Sequence, residues 1–410
     1  MNAWKHYCAL GCAVLFAVSV SRAAASDGPV SIPTGTAWQG AAKLALSSEL
    51  SSTITTTVPE ALEPLYVRPL AKIEPGRNDV SPAWSPRGTF ISFERSTADK
   101  KEIRIGLADG TPVQTVYALA SGGGEMKFFL PGVAEETSYN TGITWSPGED
   151  RFVFMSNGGE GNYDLYLQNV GDQNAARLTD HKEKDGQAHW SPVANRIVFV
   201  SGRTGNGDVY LLDLLTRGLT RLTGGGKAYL YPKWSPDGGK VVMMHGGNEN
   251  HDIILVNDVA RPAESRKALT AWVYDDLRPV WSPDGKKIAF YSNYNQSEDP
   301  KLWSIVVVAA DGSDPVEGNG LAAKIAATDV IPDVEAGPAW MPDSSRIIFV
   351  KNDRQEYNPL YIADLGRKTI LPIRTDTRMN HDVMCSPDGT IAFRAQVDQW
   401  DQIYVMRLKE

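Results

Sequence analysis

Five short segments, "RFVFM", "RIVFV", "KVVMM", "KIAFY" and "RIIFV", recur along the chain with apolar residues at both odd and even positions. A strand with one face in water alternates apolar and polar residues, so a run apolar on both faces predicts a strand held between two layers. Ahead of each comes a tight-turn phrase, best preserved as "SPDG" at 235–238, 282–285 and 386–389. Pro sets φ at the second turn position, Asp suits the third, and Gly accepts a positive φ at the fourth. A further strand follows in "DLYLQNV", "DVYLLDL", "DIILVND", "LYIADL" and "QIYVMRL", and a fourth in "ARLTD", "TRLTG" and "KALTA".

Aligning the phrase gives seven anchors, Trp84, Trp145, Trp190, Trp234, Trp281, Trp340 and Cys385, spaced by 61, 45, 44, 47, 59 and 45 residues. A period in the mid-forties is what four short strands and their turns require, and it is the period of β-propeller units. The Trp is read as a wedge filling the gap between neighbouring sheets. The last unit ends after its third strand, and "YVRPLAKI" (66–73) reads as a displaced fourth strand. The pattern therefore predicts an all-β, seven-bladed β-propeller of four-stranded blades over 65–410, its ring closed by an N-terminal strand joining the last blade.

With those residues placed, the phrase "PxWSPDGxxIaFxS…DIyLxDL…rLT" resembles the TolB-like β-propeller repeat, a WD40-like family of exported and periplasmic proteins. The resemblance implies the fold and an envelope location. Two features depart from it. TolB carries an α/β domain before its propeller, for which 26–60 is too short, and TolB is six-bladed where this chain shows seven anchors.

Residues 1–25 have the layout of a secretory signal peptide: a short basic start, the apolar run "CALGCAVLFAVSV", and a small-residue site before cleavage near Ala25. The run is too short to span a bilayer, and the mature chain has no transmembrane segment. Location is therefore expected in the periplasm or outside the cell. Residues 26–60 are a Ser/Thr-rich N-terminal extension without periodicity. Cys8 and Cys12 leave with the signal, so Cys385 stands alone and neither a disulfide nor a cysteine zinc site is expected. A net charge of −8 and the lack of a basic tract argue against nucleic acid as a partner.

Candidate chemistry lies where the chain enters each innermost strand. Five residues before the anchors stand Asp79, Asn140, Asp185, Tyr229, Asp276, Glu335 and Asn380. Oxygen ligands converging from several loops suit Ca²⁺, so Asp79, Asp185, Asp276 and Glu335 form a candidate metal ring. The same residue types also make strand-entering turns by bonding their own backbone. Three residues before the anchors the side chains vary: Ser81, Gly142, Gln187, Tyr231, Arg278, Gly337 and Asp382. Of these Tyr231 and Arg278, with the neighbouring His381, are candidate partner contacts. Long insertions at 122–140 and within 317–337 are expected on the same face, "MKFFLPG" offering two Phe as an anchor or a lid.

There is no G-x-S-x-G elbow, H-E-x-x-H, P-loop or dinucleotide fingerprint. The first reading is an exported, non-catalytic propeller that binds an envelope protein or glycan at the mouth of its channel, as a TolB-like envelope or transport accessory. In that reading, alanine at Asp185 and Asp276 weakens binding and spares stability. The alternative is a metal-dependent glycan lyase or hydrolase with its site in the channel, which requires His189, His245 or His381 to meet the carboxylates.

Overall fold

A computed structural model of the chain describes residues 61–96, 101–116, 140–158, 162–247, 250–271, 273–294, 303–313, 325–333, 336–352 and 357–409. The expected signal peptide, the 26–60 extension, the "MKFFLPG" loop and Glu335 lie outside the described residues.

The architecture is all-β, built from antiparallel sheets in chain order. The N-terminal strand β1 (Pro64–Pro69) is followed by a four-stranded sheet of β2 (Asn78–Trp84), β3 (Phe90–Ser96), β4 (Lys101–Leu107) and β5 (Pro112–Val116). The next contains β6 (Asn140–Trp145), β7 (Arg151–Ser156), β8 (Asp164–Asn169) and β9 (Ala175–Arg177). The third runs β10 (Asp185–Trp190), β11 (Arg196–Ser201), β12 (Asp208–Asp213) and β13 (Leu219–Arg221). The fourth runs β14 (Ala228–Trp234), β15 (Val241–Gly246), β16 (His251–Val256) and β17 (Arg266–Ala268), with a one-turn helix α1 (Pro262–Ser265) between its last two strands.

Two units then merge. The strands β18 (Asp276–Trp281), β19 (Lys287–Ser292), β20 (Trp303–Ala309) and β21 (Ile325–Ile331) share one eight-stranded sheet with β22 (Ala339–Trp340), β23 (Arg346–Lys351), β24 (Leu360–Asp364) and β25 (Thr369–Pro372). The join is β21, whose last residues Val330 and Ile331 pair with Lys351 and Val350. The sequence predicted separate sheets here. It did not anticipate that part of the 317–337 insertion would become a strand long enough to reach the next unit.

The last sheet holds β26 (Arg378–Cys385), β27 (Thr390–Val397) and β28 (Trp400–Leu408), and its fourth strand is β1, from the other end of the chain. Just upstream, Leu62 accepts the Arg374 amide and donates its own to the Pro372 carbonyl, while Glu63 meets Arg374 at 2.6 Å. A few residues thus tie the last sheet to the one before it.

The second strands form the core. Phe152, Val153 and Phe154 are fully buried, as are Ile197, Val198 and Phe199, so both faces of β7 and β11 are covered. Each such side chain contributes about 1.5–3 kcal/mol by leaving water. The anchor tryptophans do act as wedges: all six are buried, Trp145 stacks on Phe90 of the preceding sheet at 5.6 Å, and Trp281 and Trp340 donate Nε1–H to Lys233 and Val280 carbonyls one sheet back. At the seventh anchor the smaller Cys385 sits 3.6 Å from the Met341 sulfur. The turns behave as their composition requires. In "SPDG" at 235–238 and 282–285 the Ser hydroxyl accepts the amide of Lys240 or Lys287 at 2.9 Å, and Gly238 and Gly285 take φ of +69° and +70°.

Deleting residues 61–69 removes both the fourth strand of the last sheet and the tie to Pro372 and Arg374, leaving the β28 edge unpaired. The melting temperature is expected to fall by about 5 °C or more. A thermal melt of the shortened chain that matches the full chain would contradict this role.

Candidate functional site

Every innermost strand carries a residue in the left-handed region, three positions before its anchor: Ser81, Gly142, Gln187, Tyr231, Arg278, Gly337 and Asp382, with φ between +50° and +96°. At each register-mapped position the ladder slips there, as a β-bulge, and the bulged amide is released from its own sheet. A buried amide without a partner is costly, and here the preceding sheet supplies one. Glu94 accepts from Gly142 at 3.1 Å, the Met155 sulfur from Gln187 at 3.1 Å, and the Met244 sulfur from Arg278 at 3.3 Å. Glu94, Met155 and Met244 occupy equivalent places on the second strands, opposite Val80, Thr141 and Leu230. The third sheet has Val200 there, which has no acceptor, and Gln187 Oε1 takes over, receiving the Tyr231 amide at 2.8 Å. Asp382 completes the series by approaching the Ser81 amide at 3.5 Å, linking the last sheet to the first.

Two of the predicted contacts meet beside these bulges. The Arg278 guanidinium lies 3.1 Å from the centre of the Tyr231 ring, a cation–π stack. Gly337 packs against the same place: a Cβ on it would stand 2.6 Å from the Arg278 carbonyl, at a φ of +96°. Opposite, Arg394 reaches Asp382 at 2.8 Å and Asp401 at 3.1 Å. Burial holds the Asp382 carboxyl above the usual range, with Arg394 opposing. His381 contacts Asn358 at 3.4 Å, and burial, aided by Arg394, lowers its pKa to about 4, so the ring is neutral at neutral pH.

Two of the acids five positions before the anchors pair with arginines. Asp79 is gripped by Arg95 through two hydrogen bonds of 2.6 Å, and Asp185 by Arg203 at 3.0 Å. Asp185, Asp276 and Asn380 are fully buried; Asn380 donates to the Asn358 carbonyl and accepts from Thr377. Asn140 opens β6, opposite Ser156. The histidines are likewise occupied. His189 Nδ1 accepts the Trp234 amide at 3.2 Å, and burial pushes its pKa well below the ordinary value. His245 stacks on Tyr229 at 4.3 Å, and His251 Nδ1 meets Asp275 at 2.7 Å. Among the described residues no three His, Cys, Asp or Glu side chains are grouped as a metal site.

What the sequence missed is a set of aromatic groups at the entries to the inner strands and on the connections between second and third strands. Lys184 lies over Tyr163 at 5.8 Å, Arg378 over Tyr357 at 5.4 Å, and Tyr274 meets Tyr294 edge to face at 5.0 Å. Tyr357 is 46% exposed and Val273, beside Tyr274, is 84% exposed. These residues fall between the repeat positions, in "NYD", "WVYDD" and "EYNP". Only their place on the mouth-side loops could have singled them out.

The Asp185–Arg203 pair carries a direct consequence. Asp185→Asn leaves the half-buried Arg203 guanidinium without its charge partner and removes a buried carboxylate, which costs about 1–3 kcal/mol. Chemical denaturation is expected to show that loss; an unchanged midpoint would mean that Asp185 is free for a ligand, as the sequence suggested.

Comparison with known proteins agrees with this geometry. The TolB beta propeller domain family matches residues 130–317. No curated protein sequence matches the chain. Among solved structures, an oligogalacturonate lyase in complex with manganese superposes with a TM-score of 0.61 at 13% identity, over 86% of this chain and 96% of that one. The oligogalacturonate lyase of Vibrio parahaemolyticus gives 0.61 at 12%, with the same coverages. TolB from Acinetobacter baumannii gives 0.50 at 17%, over 75% of this chain and 66% of that one. At such identities the structures speak for the fold alone. The bulged inner strands, the tryptophan wedges and the matched segment lead to one conclusion: residues 130–317 are similar to the TolB beta propeller domain, and the described chain has a fold of that kind.

Proposed function

We propose that this protein is an exported, seven-unit, closed propeller that binds a protein or glycan partner of the cell envelope on the face where its channel opens. The eight-stranded sheet counts as two units, each with its own left-handed residue, Arg278 or Gly337, and its own anchor. Closure is supported by β1 in the last sheet, by the Ser81–Asp382 approach, and by a core cluster in which Trp84 and Ile91 pack with Ala392, Ile403 and Val405. Export to the periplasm or beyond rests on the layout of residues 1–25.

The observation that carries the binding role is the set of ring–cation and ring–ring pairs at the mouth, with Val273 and Tyr357 exposed among them. Tyr and Arg are the residues that anchor interfaces, because a rigid ring offers large contact area at low entropic cost and a planar cation adds direction. Arg278 and Tyr231 lie deeper, where a partner segment entering the channel would meet them. The buried acids position this surface and do not touch the partner.

A second reading is favoured by one cluster, His381 with Asn358, Arg394, Asp382 and Asp401. On a fold shared with oligogalacturonate lyases it would serve elimination from an acidic glycan. The described residues do not supply the ligand set that a catalytic manganese requires, so no step is derived through a metal, and this reading stands second.

The test uses the full chain and the double variant Tyr357→Ala/Arg378→Ala, each immobilised and exposed to envelope extract and to a glycan array. The variant is expected to retain at least about tenfold less of the bound partner, a loss typical of interface anchors, with a melting temperature within about 2 °C of the parent. Equal retention by parent and variant would overturn the proposed face. Incubation with oligogalacturonate and Mn²⁺ separates the second reading: accumulation of ultraviolet-absorbing unsaturated ends would replace binding by catalysis.

A further inference from the structure

Two of the bulged amides are received by sulfur, an unusual choice for a position that decides how sheets join. Met155 and Met244 hold equivalent places on β7 and β15, and each accepts the bulge amide of the next sheet, from Gln187 at 3.1 Å and Arg278 at 3.3 Å. Their access to solvent differs. Met244 is 3% exposed, whereas Met155 is only partly covered. The packing around Met155 is also tight. A Cβ placed on Gly186 would lie 2.4 Å from its sulfur, so nothing larger than hydrogen fits between them.

Met155 also stands at the head of a relay. Its sulfur holds the Gln187 amide, Gln187 Oε1 holds the Tyr231 amide at 2.8 Å, and the Tyr231 ring carries the Arg278 guanidinium. A change at Met155 is therefore passed across three sheets to the stacked pair at the centre.

We propose that Met155 is a site of reversible oxidation by small hydroperoxides, which loosens the centre of the propeller. A sulfur lone pair attacks the terminal peroxide oxygen, the O–O bond breaks, and the departing hydroxide or alkoxide takes the remaining proton and leaves as water or an alcohol. Sulfur gives up two electrons and the peroxide receives them. The product is a sulfoxide, polar and pyramidal, with one more atom than the thioether. That atom has no room on the Gly186 side, so the side chain must move, and the Gln187 bulge moves with it. Met244 makes the same hydrogen bond from a sealed position and is an internal control.

The experiment treats the full chain with dilute hydrogen peroxide and follows each methionine by peptide mass spectrometry, with parallel thermal melts. Met155 is expected to oxidise at least about tenfold faster than Met244, as exposure dictates, and the melting temperature to fall by several degrees in step with Met155 sulfoxide. Methionine sulfoxide reductases should restore both. Met379 and Met384 are also partly exposed and will react, so Met155→Leu assigns the effect: its melting temperature should not change on peroxide treatment. Equal rates at Met155 and Met244 would overturn the proposal. So would a peroxide-induced fall that persists in Met155→Leu, or a parent melt that stays low after Met155 is reduced. If Met155→Leu does not fold, the recovery of the reduced parent decides.

Discussion

The structure depends on one recurring hydrogen bond, seen at five of the seven inner strands, from a bulged amide to a side chain of the neighbouring sheet. The bulge turns the backbone into the left-handed region and frees an amide that its own ladder can no longer satisfy. Were that amide left bare in the interior, each sheet would carry a penalty of about 1–3 kcal/mol. The acceptor one sheet back removes the penalty and sets the angle between neighbours. Different atoms do the same work: a carboxylate in Glu94, thioethers in Met155 and Met244, and an amide oxygen in Gln187.

That constraint decides what remains for function. Side chains near the bulges are consumed by the architecture: Asp79 and Asp185 pair with arginines within their own sheets, and His189 receives the Trp234 amide of the next sheet. The groups left to meet a partner are those beyond the strands, on the loops at the mouth, together with the Arg278–Tyr231 stack further in. In the proposed binding role most contacts would fall on loop residues outside the architecture, with Tyr231 and Arg278 shared between the two.

Much of the fold was legible because it rests on local chemistry. The "SPDG" turns, the doubly apolar second strands and the tryptophan wedges are each dictated by a few neighbouring residues. The exchange of β1 into the last sheet could be read from what each end of the chain lacked. The fusion through β21 could not, since it depends on two residues at the end of an insertion reaching a distant edge. The site was read less well. The acids before the anchors looked like ligands because sequence shows residue type but not the arginines Arg95 and Arg203 that face them. The positions three before the anchors looked merely variable. Their shared property is a backbone angle, and Ser, Gln, Tyr, Arg and Asp adopt it as well as Gly when the neighbouring sheet fixes it.

The central claim is that the bulged amides are bonded across sheets, and amide hydrogen exchange tests it most directly. Bulges interrupt a ladder, so their amides would ordinarily exchange quickly. In this account the amides of Gly142, Gln187, Tyr231 and Arg278 are protected to within about tenfold of a ladder amide such as that of Phe199. Exchange as fast as that of the exposed hairpin amides would contradict it, and the sheets would then have to be joined by packing alone.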